Sequence, residues 1–151
     1  MLALLGGGSC WFPLDLSATS VRAREQLKKR EDGERFAESW IAAWNGREVE
    51  HVLSMYAEDL SFTSPTALAV TGSATVNGKA ALRAYWQAAL SHIEHLHFTL
   101  DRIIFDDDAS ELGIIYTRDV DGGLKQAVET FRFDADGLVV ATEVFHGLVP
   151  D

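Results

Sequence analysis

Glu129 and His146, near the end of the chain, have side chains that can transfer protons. A carboxylate and an imidazole are both groups that take a proton from a carbon next to a carbonyl and return it. Glu129 alternates in phase with Phe131 and Phe133, which predicts that all three lie on one face of a strand. A glutamate among apolar neighbours is rarely buried without a reason. The alternative interpretation places Glu129 at a rim, paired with Arg118 or with solvent.

His146 shares one face of the last predicted strand with Thr142 and Val144. Imidazole changes its charge near neutral pH, so His146 is a candidate acid/base partner of Glu129 if the two side chains converge. The alternative is a hydrogen-bonded structural histidine. Tyr116 is a further candidate, as a phenolic donor to a ligand oxygen or as an aromatic side chain that fills the core.

Metal and cofactor chemistry find little support in the sequence. The cluster of His92, Glu94, His95 and His97 resembles a ligand set, but strand alternation places Leu96 inside and the neighbouring histidines outside. No glycine-rich phosphate loop, zinc motif or serine nucleophile elbow is present. We therefore expect neither a metal nor a cofactor.

The composition is that of one globular domain in an acidic protein. Apolar residues make up 47% of the 151 residues, enough for a single core. The formal net charge of −10 argues against a nucleic-acid partner, because phosphate binding needs a basic surface. No apolar run approaches the roughly 20 residues of a membrane span, and a single cysteine cannot form an internal disulfide. We expect a cytoplasmic protein that binds neither nucleic acid nor membrane.

The chain divides into three segments. Residues 1–16 are expected to be a flexible leader, since their apolar stretch is short and no basic residues precede it, unlike an export signal. Residues 17–32 form a charged helical extension with Ser17 as its N-cap. Asp32 and Gly33 are expected to interrupt that helix, and residues 33–151 form the domain.

Apolar spacing predicts three helices in the first half of this domain. They are expected over residues 34–45, over a short segment from residue 49, and over a segment that follows Asn77 as N-cap. The first helix carries Trp40 and Trp44 on one stripe, and the third carries Tyr85 and Trp86. Such aromatic stripes indicate burial.

Beyond residue 91 the apolar period falls to two, which predicts strands. They are expected over residues 96–105, 111–119, 125–133 and 138–149, besides an earlier one over residues 60–64. Residues 66–76 are expected to be a mobile loop or weak hairpin. Residues 121–123 are expected to be a hairpin turn, because glycine supplies positive φ. Helices followed by a meander of antiparallel strands predict an α+β fold.

Several short segments in this order carry a resemblance to a known family. They are residues 39–46 (SWIAAWNG), 56–59 (YAED), 78–82 (GKAAL), 129–133 (ETFRF) and 136–140 (DGLVV). Residues 34–147 resemble the SnoaL-like polyketide cyclases and ketosteroid isomerases of the nuclear-transport-factor-2-like superfamily. The resemblance implies a cystatin-like α+β roll, with a cone-shaped, curved antiparallel or mixed sheet around three N-terminal helices. It also implies an apolar pocket at one end and a homodimer formed through the outer sheet face.

The resemblance also implies roles for individual residues. Glu129 stands where the family places its inward carboxylic acid, Trp40 where the isomerases have a tyrosine donor, and Ser64 where they have the base. A serine cannot take up a carbon-bound proton without a partner base, so we do not expect the ketosteroid isomerase reaction itself. The family pattern turns His146 toward the pocket. Val144 stands where an epoxide-hydrolysing branch has an aspartate, so epoxide hydrolysis is not expected either.

Together these features predict a cofactor-independent enzyme that transfers protons on a hydrophobic carbonyl or hydroxylated ring compound. The reaction would be an isomerisation, aldol-type cyclisation or dehydration, with Glu129 and His146 as catalytic residues. The alternative is a non-catalytic ligand-binding domain or a dimeric assembly module, for which an exposed apolar patch containing Phe145 would be the sign. The other predicted pocket residues are Trp40, Trp44, Tyr56, Phe62, Ser64, Tyr85, Trp86, Tyr116 and Thr142.

Overall fold

A computed structural model describes the backbone of residues 16–149 and the side chains of residues 29–149. The elements, in chain order, are α1 (Leu16–Asn45), α2 (Val49–Ser54), β1 (Tyr56–Thr63), α3 (Pro65–Thr71), β2 (Thr75–Asn77), α4 (Lys79–Ser91), β3 (Leu96–Asp106), β4 (Glu111–Val120), β5 (Gly123–Phe133) and β6 (Val139–Gly147). The predicted leader lies outside the described residues, apart from Leu16. None of the helices in residues 16–149 is long and apolar enough to cross a membrane.

The strands form one six-stranded sheet in the order β2-β1-β6-β5-β4-β3. Neighbouring strands are antiparallel except β1 and β6, which run parallel. Register shifts in β1, β3 and β5 mark bulges, which bend a sheet and increase its twist. The predicted α+β class with a curved, mixed sheet is confirmed.

The core lies between the C-terminal half of α1 and the concave face of the sheet. Trp40 is buried at its centre and packs against the rings of Phe98, Tyr116 and Phe131. Asn45, the last residue of α1, pairs with the backbone of β3: its Nδ2 donates to the Phe98 carbonyl at 2.9 Å, and its Oδ1 accepts from the Phe98 amide at 2.7 Å. This amide therefore attaches the end of the helix to the sheet.

The predicted interruption of α1 at Asp32 and Gly33 is wrong, because the helix runs through both residues. A Cβ at position 33 would lie 3.3 Å from Leu112 Cδ1, so glycine allows the helix to approach the sheet closely. A glycine inside a helix costs only about 1 kcal/mol relative to alanine. An ion pair between Arg35 and Asp32 also spans this turn.

The loop predicted over residues 66–76 is also wrong, since it contains α3 and β2. Ser64 caps α3 through its Oγ, which accepts from the Thr66 amide at 3.2 Å, and Pro65 occupies the first helical turn. Gly72 ends the helix with a φ of 77°. A short, threonine-rich helix has a weak apolar stripe, so periodicity alone did not reveal it.

Asn77 is not the N-cap of α4. It is the last residue of β2, where it pairs with Ser61 of β1, and Gly78 occupies the cap position with a φ of 86°. The hairpin turn predicted at residues 121–123 is present, with positive φ at Asp121 and Gly122. The predicted strands are confirmed within a few residues, although β1 begins earlier, at Tyr56.

Candidate functional site

A cavity of about 120 Å³ lies between the helices and the concave face of the sheet. Its apolar lining consists of Trp40, Trp44, Phe62, Tyr85, Trp86, Ala89, Leu90, Ile93, Leu96, Phe98, Tyr116 and Val144. Its polar side chains are Ser64, Thr66, Arg118, Glu129 and His146. An apolar wall with a few convergent polar groups is the usual composition of a small-molecule site.

Glu129 lies on β5, directly between Ile114 of β4 and Val144 of β6. The side chain is only 3% exposed, and Thr142 Oγ1 donates a hydrogen bond of 2.7 Å to its Oε1. Within the described residues its Oε2 has no hydrogen-bond donor. Glu129 therefore sits inside the concave face, and the rim position paired with Arg118 is not observed.

The surroundings of Glu129 change its protonation. Burial raises the pKa of this carboxyl to about 7, although the hydrogen bond from Thr142 works in the opposite direction. Burial, together with the nearby Glu129 carboxylate, raises the pKa of the Tyr56 and Tyr116 hydroxyls well above the ordinary value. Both phenols are therefore neutral, and Glu129 is poised to gain or lose a proton near neutral pH.

Two predicted pocket residues, Tyr56 and Thr142, do not line the cavity. Tyr56 is fully buried behind Trp40, whose Nε1 donates to the Tyr56 hydroxyl at 3.0 Å. Thr142 is buried as well and donates its hydroxyl hydrogen to Glu129. Each of these buried side chains holds a residue of the cavity wall: Tyr56 contacts Trp40, and Thr142 contacts Glu129.

The aromatic residues that line the cavity differ in whether their N–H or O–H groups already make a hydrogen bond. Trp40 donates to Tyr56, so its indole N–H is already used where the resemblance implied a ligand donor. The hydroxyl of Tyr116 makes no hydrogen bond with the described residues. The indole N–H of Trp44 is buried and has no acceptor among the described residues. Tyr116 therefore provides a free phenolic donor in the cavity wall.

His146 faces the same cavity as Glu129, but the two side chains do not hydrogen-bond. His146 stands opposite Ala127, whereas Glu129 stands opposite Val144, so the two are offset diagonally across β5 and β6. The partner of His146 is Arg118, whose Nη1 lies 3.2 Å from His146 Nε2. Burial and the charges of Arg118 and Lys125 lower the pKa of His146 below its ordinary value.

Arg118 is the functional candidate that the sequence analysis missed as a cavity residue. It stands two positions after Tyr116 on β4, so strand alternation alone puts both on the same face. That signal was available, but it could not tell a cavity wall from an exposed strand end. The same holds for Leu96 and Phe98, whose alternation predicted burial but not the neighbouring cavity.

The histidine cluster of residues 92–97, around the start of β3, does not assemble into a metal site. His95 pairs with Asp119 at 3.4 Å across the sheet edge. In the part of the chain that the structure describes, no three His, Cys, Asp or Glu side chains lie close enough together to hold a metal ion.

The fold is the one seen in structures described as cystatin-like and NTF2-like. The family is more specific, because the family model of the SnoaL-like domain matches residues 37–142. The chain belongs to the SnoaL-like domain family.

Solved structures share this fold. A SnoaL-like protein of unknown function from Burkholderia thailandensis is 29% identical, with a TM-score of 0.70 over 76% of this chain and 93% of that one. A suggested ketosteroid isomerase from Kribbella flavida is 19% identical, with a TM-score of 0.60 over 80% and 82%. TerC, co-crystallised with polyporic acid, is 16% identical, with a TM-score of 0.64 over 76% and 91%. A search of proteins with curated functions found no match.

Proposed function

We propose that this domain binds a small hydrophobic carbonyl or hydroxylated ring compound and transfers a proton on it without a cofactor. The observation that carries the proposal is Glu129, a buried carboxyl that faces an apolar cavity and whose pKa burial raises to about 7. A general base works best when its pKa lies near the working pH. The co-crystal of TerC with polyporic acid supports an organic ligand for this fold.

The chemistry common to isomerisation, aldol-type cyclisation and dehydration begins with loss of a proton next to a carbonyl. The ionised Glu129 takes that proton, and the C–H electron pair moves into the enolate. The free hydroxyl of Tyr116 donates a hydrogen bond to the developing oxyanion, which is the usual way to stabilise such charge. The protonated Glu129 then gives the proton back: to another carbon in an isomerisation, or to the departing hydroxyl, which leaves as water, in a dehydration. In an aldol-type cyclisation the enolate carbon attacks a second carbonyl, and the alkoxide formed there takes the proton.

His146 is the second polar group of the cavity that the proposal uses. It lines the same cavity but has its own partner, so it acts on a different atom of the substrate and not through contact with Glu129. Its lowered pKa keeps the ring neutral at neutral pH, and because Nε2 accepts from Arg118, the ring offers its Nδ1–H to the substrate as a hydrogen-bond donor.

Ligand binding should report the ionisation of Glu129. Trp40, Trp44 and Trp86 line the cavity, so tryptophan fluorescence can follow a titration with 4-ethylphenol. We expect this neutral phenol to bind more tightly as the pH rises through about 7, because a hydrogen bond to an ionised carboxylate is about twice as strong as a neutral one.

Two controls test whether the ionisation of Glu129 causes that pH dependence. The variant Glu129→Gln should bind the phenol with one affinity across the range, and the methyl ether of the phenol should show no pH dependence with the parent protein. If Glu129→Gln retains the transition near pH 7, another group is responsible and Glu129 loses its assigned role.

A non-catalytic binding domain is the second candidate, and the state of Ser64 favours it. Ser64 stands where the resemblance implied a base, but its Oγ caps α3. Glu129 is the only carboxylate among the described residues that line the cavity. A site with a single carboxylate can hold a ligand without turning it over.

We also propose that the protein forms a homodimer through the outer face of the sheet. Alternation directs Ile115, Val128 and Phe145 to this face, in one row across β4, β5 and β6. Phe145 is 48% exposed and Ile104, on β3, is 61% exposed. Exposed apolar side chains on one sheet face are typical of an interface.

Replacement of Phe145 by glutamate should weaken this dimer by at least about tenfold, because the variant must bury a charge in the interface. Sedimentation equilibrium measures the effect. Leu68→Glu is the matched control, since Leu68 is 52% exposed but lies on α3. A wild-type protein that sediments as a monomer at all concentrations, or a dimer that Phe145→Glu leaves intact, contradicts the proposal.

A further inference from the structure

Arg118 brings a positive charge into the cavity without a carboxylate to neutralise it. The side chain is half-buried on β4 and lines the cavity, and within residues 29–149 no carboxylate lies within ion-pairing distance of its guanidinium. Its observed partner is His146, at 3.2 Å from Nη1. The remaining N–H groups of the guanidinium are therefore available to a ligand.

His146 holds this guanidinium in place as an acceptor. Arginine can only donate hydrogen bonds, so Nε2 of His146 must carry a lone pair and the ring proton must sit on Nδ1. This contact requires a neutral imidazole. The lowered pKa of His146 agrees with that requirement at neutral pH.

The charge around Arg118 favours an anion at this end of the cavity. Lys125 stands directly opposite Arg118 in the pairing of β4 with β5. The adjacent acid, Asp119, alternates to the other face of β4 and pairs with His95. In a protein with a formal net charge of −10, a locally positive cavity end attracts and orients an anionic ligand.

Cavity size limits the ligand that can bind. Sites for drug-sized molecules occupy roughly 300–1,000 Å³, whereas this cavity measures about 120 Å³. That volume suits a single ring with short substituents. The wall of tryptophan, tyrosine and phenylalanine rings fits a flat or alicyclic hydrocarbon.

We propose that Arg118, positioned by His146, binds a carboxylate on the ligand, so that the substrate class is a one-ring organic acid. The inference rests on the proposed function, since it assumes that Glu129 acts on another carbon of the same molecule. The planar guanidinium pairs with a carboxylate through two parallel hydrogen bonds, which fixes both position and orientation. Arg118 thereby decides which carbon of the ring faces Glu129.

Matched acid and amide ligands test this assignment. Fluorescence titrations at pH 6.5 and low ionic strength compare benzoate, cyclohexanecarboxylate and cinnamate with their primary amides. We expect each acid that binds to do so at least about tenfold more tightly than its amide, and this preference to shrink as salt is added. Phenol and phenolate-forming nitrophenols in the same panel show whether any anionic oxygen suffices or a carboxylate is required.

The variant Arg118→Gln should remove the preference for acids, so that each acid and its amide bind within about twofold of one another. Arg132→Gln is the matched control, because Arg132 is exposed and alternates to the outer face of β5. Thermal melts by circular dichroism establish that both variants fold. Should Arg118→Gln fail to fold, Arg118→Lys, which keeps the charge but loses the planar fork, should retain only part of the preference.

The inference is overturned if the parent protein binds acids and amides equally, or if Arg132→Gln weakens acid binding as much as Arg118→Gln does. It is also overturned if nitrophenolates bind as tightly as benzoates, because the site is then a general anion site. None of these outcomes contradicts the proposed function. That proposal is tested separately by the pH dependence of neutral phenol binding, which Glu129→Gln removes.

Discussion

Glu129→Gln is expected to slow hydrogen–deuterium exchange next to a bound carbonyl by about 10²–10⁴-fold, the usual contribution of a positioned general base. Proton NMR in D₂O follows the exchange on a one-ring ketone such as cyclohexanone. The physical reason is that glutamine preserves the shape of the side chain and can still accept the hydrogen bond from Thr142. It cannot take up a proton. Binding should therefore survive while exchange is lost.

The control for this experiment is Glu143→Gln, which removes an exposed carboxylate from the next strand and from the opposite face of the sheet. The ketone should exchange its hydrogens as fast with Glu143→Gln as with the parent protein. Exchange in the parent that persists at an equal rate in Glu129→Gln rules out Glu129 as the base. If ketones bind to the parent protein but no exchange is seen, the non-catalytic binding domain becomes the better description.

The same substitution should change the pH dependence of stability by about 3 kcal/mol. Glutamate in an unfolded chain has a pKa of about 4.3, whereas burial raises the pKa of Glu129 to about 7 in the folded protein. Between these values the folded protein binds the proton that the unfolded chain has released. The free energy of unfolding therefore falls as the pH rises through this range and levels off above about pH 7. In Glu129→Gln, the free energy of unfolding should not fall in this way as the pH rises.

Urea denaturation at pH 4.5 and pH 8 measures the difference for both proteins. We expect Glu129→Gln to gain about 3 kcal/mol relative to the parent between the two pH values. His146 acts in the opposite direction, because its lowered pKa makes the folded protein release protons first. That contribution is common to both proteins and cancels. If the free energy of unfolding changes equally with pH in the parent and in Glu129→Gln, the buried carboxyl titrates as it does in water.

Local patterns were sufficient to predict the inward faces of the elements that carry Trp40, Trp44 and Glu129. The spacing of Trp40 and Trp44 placed a helix stripe in the core, and the alternation of Glu129 with Phe131 placed the carboxyl on the concave face. Both predictions use the fixed geometry of a single helix or strand. The Asp-Gly turn at residues 121–122 has the same local origin, because positive φ is a property of those residues.

The surroundings of the candidate site depend on contacts between elements. Whether Glu129 bonds to Thr142, and His146 to Arg118, follows from the register of β4, β5 and β6. Tyr56 was expected in the pocket but lies behind Trp40. It begins β1, which pairs in parallel with β6, and its hydroxyl accepts from the Trp40 indole. The continuity of α1 through Gly33 likewise depends on close packing against Leu112.

The sequence by itself determined the α+β class, the inward faces and the presence of a carboxylate and an imidazole on neighbouring closing strands. Only the tertiary structure decided which inward side chains border the cavity, how far burial raises the pKa of Glu129, and that Arg118 enters the cavity without a carboxylate partner. The reason is physical. Periodicity describes one element at a time, whereas desolvation and hydrogen bonding depend on which atoms several elements bring together.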